Sequence, residues 1–543
     1  MAKELTFEDE AREKLLSGAN KLTQAVRTTL GPRGRSAVID RSWGGPRVSK
    51  DGATVAEEVE LKDRVENIGA RMIREAGTLT ARDAGDGSTT ATVLAEAVFR
   101  KGMRQVMAGE NPVLLQRALL FCTDRVCKKL EALSEPIEFQ DSIRSVASIA
   151  ANNDDRIGKI IASALDKVGN DGVCTIEEGK GIETTLEVEE GLYFDRGYIS
   201  QQFVADPDSA EIRLENPYIL IMEDKISNLA QIVPVLEKVV EKRKPLLIIA
   251  EDIDGEALTT LVVNSQRGVL KVAAVKAPGY GDRRKAMLQD IAIATGGRAI
   301  FSDLGIDPGS ITISDLGTAK TIEINSQMTT IVNGGGKKKD MEERCRVIRL
   351  EIEAASSEYD REKLQERLAR LIGGIAVIRV GGSTEGEVKE RKKRFENSLA
   401  ATRSALEAGI LPGGGVALIH CADEVSRMKV RDPLEKIAAE ILADALEEPF
   451  RQLAKNSGVE PSILLREIRA ADDTTTGYDF ARREMCDLME AGIIDSCDVT
   501  RRALQNAVSS ATMILTSDAV ITEIPSEASE EDHHHDHEGA GAF

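Results

Sequence analysis

Three short turns early in the chain combine glycine, aspartate and hydroxyl residues: Thr29-Leu30-Gly31-Pro32-Arg33-Gly34, Lys50-Asp51-Gly52 and Gly85-Asp86-Gly87-Ser88-Thr89-Thr90. The third is the most informative. Its glycines let the backbone approach a ligand closely. Ser88, Thr89 and Thr90 then open a helix, whose unpaired amides favour an anion. An aspartate beside a phosphate is repulsive unless a cation lies between them, so Asp86 points to Mg2+. Alone, such a turn also reads as an ordinary helix N-cap. Three of them close in sequence move the reading towards a nucleotide.

Other chemistries are excluded by what the chain lacks. There is no Walker A pattern, and no Gly-x-Gly-x-x-Gly follows a strand-like run. His420 is the only histidine outside the C-terminal tail, so no Ser-His-Asp arrangement is available. The 7 cysteines are scattered and contain no Cys-x-x-Cys pair, which argues for reduced thiols rather than a disulfide framework or structural zinc. A formal net charge of -20 speaks against nucleic-acid binding, which depends on cationic contacts to phosphate. No apolar run is long enough to span a bilayer, and the first residues carry neither a signal-peptide core nor an Arg-rich transit pattern. The thiol pattern and the missing targeting signals make the cytoplasm the expected compartment.

The elements that must hold the turns follow from length and periodicity. At 543 residues, with 42% hydrophobic but only 3% aromatic residues, the chain needs several domains with aliphatic cores. Residues 1 to 130 read mainly as helix, and Val65, Ile68, Met72 and Ile73 share one helix face. The middle alternates: Pro245 to Ala250 reads as a buried strand, Ala257 to Val263 as amphipathic, and Val272 to Val275 as another strand. That alternation predicts an α/β domain. Gly334-Gly335-Gly336 with Lys337 to Lys339 marks a loop, followed by a long charged helix through Tyr359 to Leu364. Helix returns after Gly413-Gly414-Gly415 and is expected to run to about residue 520. Residues 526–543 are acidic and polar and read as disordered. They hold His533, His534, His535 and His537, a tract that is either a solvated tail or a divalent-metal binder.

Taken together, these motifs resemble the group I chaperonins, the GroEL family. The likeness rests on Thr29 to Pro32, Lys50-Asp51-Gly52 and Asp86 to Thr92. It continues through Lys244 to Asp252, Ala277 to Lys285, Tyr359 to Arg367 and Gly413 to Ala417, and covers about residues 2 to 525. The resemblance implies a multidomain α and α/β chaperonin fold. A helical equatorial ATP-binding domain would comprise 1–132 and 410–525. A small intermediate hinge domain would comprise 133–189 and 375–409, and an α/β apical substrate-binding domain 190–374. It also implies ATP and Mg2+ as cofactors, with K+ as an accompanying ion. The partners would be unfolded client proteins, a GroES-type lid, and copies of the same chain in two stacked seven-membered rings.

Residue by residue, the resemblance carries nucleotide contacts onto Thr29, Leu30, Gly31, Pro32, Lys50, Asp86, Gly87, Ser88, Thr89, Thr90, Gly414, Asp479, Phe480, Ala481 and Asp495. Asp86 would ligate Mg2+ and Asp495 would meet the ribose. Asp51 stands where the family uses a carboxylate near the phosphates and the attacking water. Client and lid contacts fall on Tyr198, Ser200, Phe203, Val233, Leu236, Leu258, Val262 and Val263, an apolar strip whose exposure is costly unless it binds something. Without the family, Leu258, Val262 and Val263 read as ordinary core.

The chain departs from the family pattern at one position that matters. The family's catalytic aspartate aligns with Asn397, in Glu396-Asn397-Ser398-Leu399-Ala400-Ala401-Thr402-Arg403. Asparagine can orient a water but cannot accept its proton as a carboxylate does. Hydrolysis is therefore expected to be slow, with Asp51 able to compensate in part. Glu396 points about 100° away around the helix. Gln202 replaces a usual aromatic in the apolar strip. Asp479 and Phe480 stand where the family has Asn and a small residue, and Phe480 either stacks on the adenine or crowds it. The tail lacks Gly-Gly-Met repeats. Two functions follow: an ATP-driven chaperonin with a slow cycle, or a non-cycling holdase or ring scaffold, with a mixed ring beside a normal subunit as a further possibility.

Overall fold

The computed structural model describes residues 3–40, 45–137, 140–169, 173–179, 181–204, 210–301, 309, 311–355, 357–372, 374–430, 432–471 and 473–523. The His-rich tail lies outside them. The chain divides into two compact units, residues 1–162 with 389–543, and residues 163–388.

The first unit is built from long helices, among them Glu8–Val26, Arg64–Ala84, Ser88–Met107, Pro112–Leu133, Pro433–Leu446 and Cys497–Leu515. Their starts are written into the sequence. Asp63 accepts from the amides of Val65 and Glu66 (2.9 and 3.0 Å), and Asn111 caps a helix that opens with Pro112, as N-cap chemistry favours. The core is almost wholly aliphatic. Val65 and Ile73 are buried in it, and Ile68 and Met72 pack against it, as their spacing predicts. Strand Lys3–Phe7 pairs antiparallel with Ala519–Glu523, and Lys3 meets Glu523 at 2.7 Å. The two ends of the chain thus fold together, which composition alone does not reveal.

The helical run expected after Gly415 is interrupted. A hairpin pairs Thr476–Asp479 with Glu484–Asp487, and Ile494–Ser496 pairs with Ile410–Pro412. Asp473 accepts from the amides of Thr475 and Thr476, and such local side-chain bonds compete with helix.

The second unit carries the mixed sheet that the alternation predicts. Val272–Lys276, Leu246–Ala250 and Tyr218–Met222 run parallel. Gly317–Ile324, Thr329–Gly334 and Gly191–Phe194 extend the sheet antiparallel. Leu246–Ala250 is buried along its whole length, as a strand covered on both faces should be. A three-stranded sheet, in the order Val173–Glu178, Ile375–Val380, Thr185–Glu189, lies in the same unit. The charged stretch expected as one helix is two, Lys338–Ala354 and Glu358–Ile372, and the first already begins at Lys338 within the expected loop. All seven cysteines are free thiols. No helix among the described residues is long and apolar enough to cross a membrane.

Candidate functional site

The first unit contains a cavity of about 950 Å3 lined by Thr29 to Pro32, Lys50, Asp51, Asp86 to Thr90, Asn397, Gly414, Asp479 to Ala481 and Asp495. Every nucleotide and catalytic position inferred from the sequence therefore faces one space, although those positions span most of the chain.

Packing explains the convergence. Gly52 lies so close to Thr89 that a β-carbon there would overlap the Thr89 hydroxyl and meet Thr29 Oγ1 at 3.3 Å. The first, second and third turns are thereby pressed together at one point. Asp51 caps helix Gly52–Glu57: its Oδ2 accepts from the Thr54 amide (3.0 Å) and the Thr54 hydroxyl (2.6 Å). Gly87, in the left-handed region (φ 84°), caps helix Ser88–Met107 and leaves that helix's first amides facing the cavity. Helix Glu385–Ala408 brings Asn397 to the wall. It is anchored by the buried Ser398 hydroxyl donating to the Ala147 carbonyl (2.6 Å) and by close approach to Gly85.

The opposite side is held from the C-terminal half. Asp495 pairs in register with Leu411, one strand before the Gly413 to Gly415 turn. Arg33 donates to the carbonyls of Phe480 (2.8 Å) and Ala481 (2.9 Å), tying the first turn to the hairpin. The Asp479 carboxylate accepts from the Ala481 and Arg482 amides (2.7 and 3.0 Å). It is thus spent on shaping the hairpin turn. Phe480 is buried, with its ring edge-on to Phe450 (5.4 Å) and Tyr478 (5.2 Å). The departure from a small residue here is absorbed by an aromatic cluster, a geometry such rings favour.

Two carboxyls in the cavity form no ion pair with any described residue. Loss of hydration pushes Asp86 up to about 6, opposed by the Gly87 amide (2.6 Å to Oδ1) and reinforced by Asp51. Desolvation, then Asp86, pushes Asp495 up to about 7. Both side chains are partly open to the cavity, but its walls surround them. In the empty protein their ionised forms are disfavoured, so they cost stability above the usual carboxylate range, and the cost grows as pH rises towards 7. Asp495→Asn is therefore expected to raise the melting temperature of the nucleotide-free protein at pH 8. The gain should shrink as pH falls from 7 towards 4, which calorimetry across that range would check. Burial also lowers the Lys50 ammonium.

Sequence reading missed Lys393, whose ammonium stands 3.9 Å from Asp51 Oδ2 and which lines the cavity with Asn397. Its spacing, one turn before Asn397, was the available signal. Arg144, Ser145 and Asn153 line the same space and carried no motif.

The proposed client strip lies in the second unit and is uneven. Val233 is 39% exposed, whereas Phe203 and Val262 are buried at 5% and 4%. Tyr198, Leu236 and Leu258 are partly buried against the same core, and Val263 is half-buried. Ser200 accepts from the Gln202 amide at 3.3 Å, capping a short turn, and Gln202 is exposed.

A helical unit made from both chain ends, enclosing a cavity of glycine- and aspartate-rich turns, and a mixed-sheet insertion define a chaperonin subunit. The family model for TCP-1/cpn60 chaperonins matches residues 22–525, and the chain belongs to that family. It is also similar to Chaperonin GroEL 1 of Rhodopirellula baltica, at 50% identity over all of this chain and 96% of the relative.

Proposed function

We propose that this chain is a subunit of an ATP-dependent chaperonin that binds unfolded proteins and promotes their folding, with hydrolysis slowed by Asn397. The observation that carries the reading is the single cavity gathering every nucleotide position that the sequence supplies. Full-length similarity to a chaperonin GroEL supports it.

Thr29 to Pro32 and the amides opening helix Ser88–Met107 bind the phosphates. Asp495 and the Gly414 turn receive the ribose, and Phe480 with Ala481 borders the base. Among the described residues no group of three His, Cys, Asp or Glu side chains is suited to a metal; Asp86 is the residue that would hold a divalent cation beside the phosphates. Asp86, ionisable and short of countercharge, fits Mg2+, which prefers one or two carboxylates plus phosphate oxygens. When bound, Mg2+ neutralises phosphate charge. Asp51 Oδ1 has no partner among the described residues and is the acceptor available to an attacking water, while Asn397 orients that water through its amide without taking its proton.

The three-part division assigns 1–132 with 410–525 to an equatorial domain, 133–189 with 375–409 to a hinge and 190–374 to an apical domain. Clients and a GroES-type lid meet the apical strip, and the working assembly is two stacked seven-membered rings in the cytoplasm. Asn397 favours a second reading, a holdase that retains clients because it seldom hydrolyses.

Refolding of a denatured client with and without ATP and Mg2+ separates the two: ATP-dependent recovery supports the folding machine, and capture without release supports the holdase. Val233→Ser, at an exposed position, is expected to weaken client capture with little loss of stability. Capture unchanged by that variant would remove Val233 from the strip.

A further inference from the structure

The end of the cavity near Asp51 has an unusual charge arrangement. Asp51 Oδ2 already takes two hydrogen bonds from Thr54, and Lys393 approaches the same oxygen only at 3.9 Å. Lys393 is thus a loosely paired cation, its side chain 44% exposed. It sits on the turn of helix Glu385–Ala408 directly before Asn397, so the two residues share a face. The neighbouring cations of that wall are more firmly engaged. Arg394 pairs with Glu390 at 3.2 Å, and Arg144 with Asp155 at 2.6 Å. Lys50 lies at the first turn, 3.5 Å from the Pro32 carbonyl.

The phosphates' position relative to Lys393 follows from the packing. Gly52 touches Thr89, which belongs to the first turn of helix Ser88–Met107, so Asp51 borders the anion-binding end of the cavity. The carboxylates Asp51, Asp86 and Asp495 line the same space. A nucleotide's terminal phosphate brings further negative charge to the Asp51 end. One divalent ion at Asp86 leaves the Asp51 side short of positive charge. Lys50 and Lys393 both line this space, and Lys393, on the helix face of Asn397, is the one that would turn from Asp51 to the incoming phosphate.

We propose that Lys393 is a specificity residue for the nucleoside triphosphate: in the empty site it rests on Asp51, and on binding it pairs with the terminal phosphate. The neutral amide of Asn397 beside it leaves that charge unquenched, whereas a carboxylate at 397 would compete for it. This inference rests on the nucleotide-site reading above. It concerns affinity and selectivity rather than proton transfer.

The test compares binding of ATP, ADP and adenosine to the full-length protein in Mg2+, by calorimetry, for wild type, Lys393→Ala and Lys393→Arg. Lys393→Ala is expected to lose on the order of tenfold in ATP affinity, the scale of one charge-assisted contact. ADP should change by less than about twofold and adenosine not at all, while Lys393→Arg should keep most of the preference for ATP. An unchanged ATP-to-ADP ratio in Lys393→Ala overturns the proposal. So does an equal loss for all three ligands, which would mark a purely structural role. Wild type binding none of the three would instead overturn the nucleotide-site reading itself.

Discussion

ATP turnover is expected to rise on the order of a hundredfold in Asn397→Asp, the lower part of the range that a general base typically supplies. The substitution is nearly isosteric, and the helix that carries it is fixed by groups it leaves alone. Ser398 keeps its bond to the Ala147 carbonyl, and the helix backbone keeps its contact with Gly85. The side chain lines the same cavity as Asp86 and Asp495, whose carboxyls loss of hydration pushes up, so the new carboxylate meets a penalty of the same kind. Lys393, one turn earlier, stands within reach of it and favours its ionised form. Single-turnover measurements with nucleotide affinity checked separately would isolate the chemical step. Equal rates in the two proteins would mean that another group already takes the proton, and Asp51 is the carboxylate placed to do so. Glu396 is no substitute: it is exposed on the neighbouring face and lies 3.5 Å from Lys392.

The rate change also bears on which function operates. A folding machine must release clients at a rate set by its nucleotide cycle, so faster hydrolysis in Asn397→Asp should quicken release. A holdase that never cycles gains turnover without any change in client residence. Measuring both quantities on the same variant therefore links the helix residue to the assembly's behaviour.

Much of this was legible in the residues themselves. The helical ends, the α/β middle and the strands at Leu246–Ala250 and Val272–Lys276 follow from periodicity, because each buries one continuous apolar run or face. The cavity residues were found through turn chemistry and the family likeness. What escaped was set by long-range contacts. The hairpin at Thr476–Asp487 has polar strands stabilised by Asp473 and Asp479 side chains bonding to nearby amides, a signal that periodicity does not contain. Lys393 belongs to no motif, and its place beside Asp51, far away in sequence, comes only from the fold. Phe480 left two readings open, and the rings of Phe450 and Tyr478 show its edges engaged in packing. The buried positions of Phe203 and Val262 likewise depend on which strands and helices cover them.

Gly85→Ala is expected to undo most of the gain from Asn397→Asp when the two are combined. Gly85 ends helix Arg64–Ala84 in the left-handed region (φ 77°), where a non-glycine residue costs about 1–2 kcal/mol. A β-carbon there would also overlap Ala400 and lie 2.8 Å from the Asn397 carbonyl and 2.9 Å from the Ala401 amide. These are atoms of helix backbone, which cannot rotate aside, so the helix must shift. A displacement of about 1 Å in a catalytic group can cost on the order of a hundredfold in rate. Gly458→Ala, at the end of helix Glu448–Ser457 and away from the cavity lining, is the control. Its φ of 69° carries similar strain, but nothing lies within 4 Å of the added carbon, so it should lower the melting temperature without moving residue 397. Turnover of the single and double variants, arranged as a cycle, measures the coupling directly. A strong interaction between positions 85 and 397, with none between 458 and 397, is the expected pattern. Simple additivity at both would mean that the helix tolerates the shift and that the wall of the cavity does not depend on Gly85.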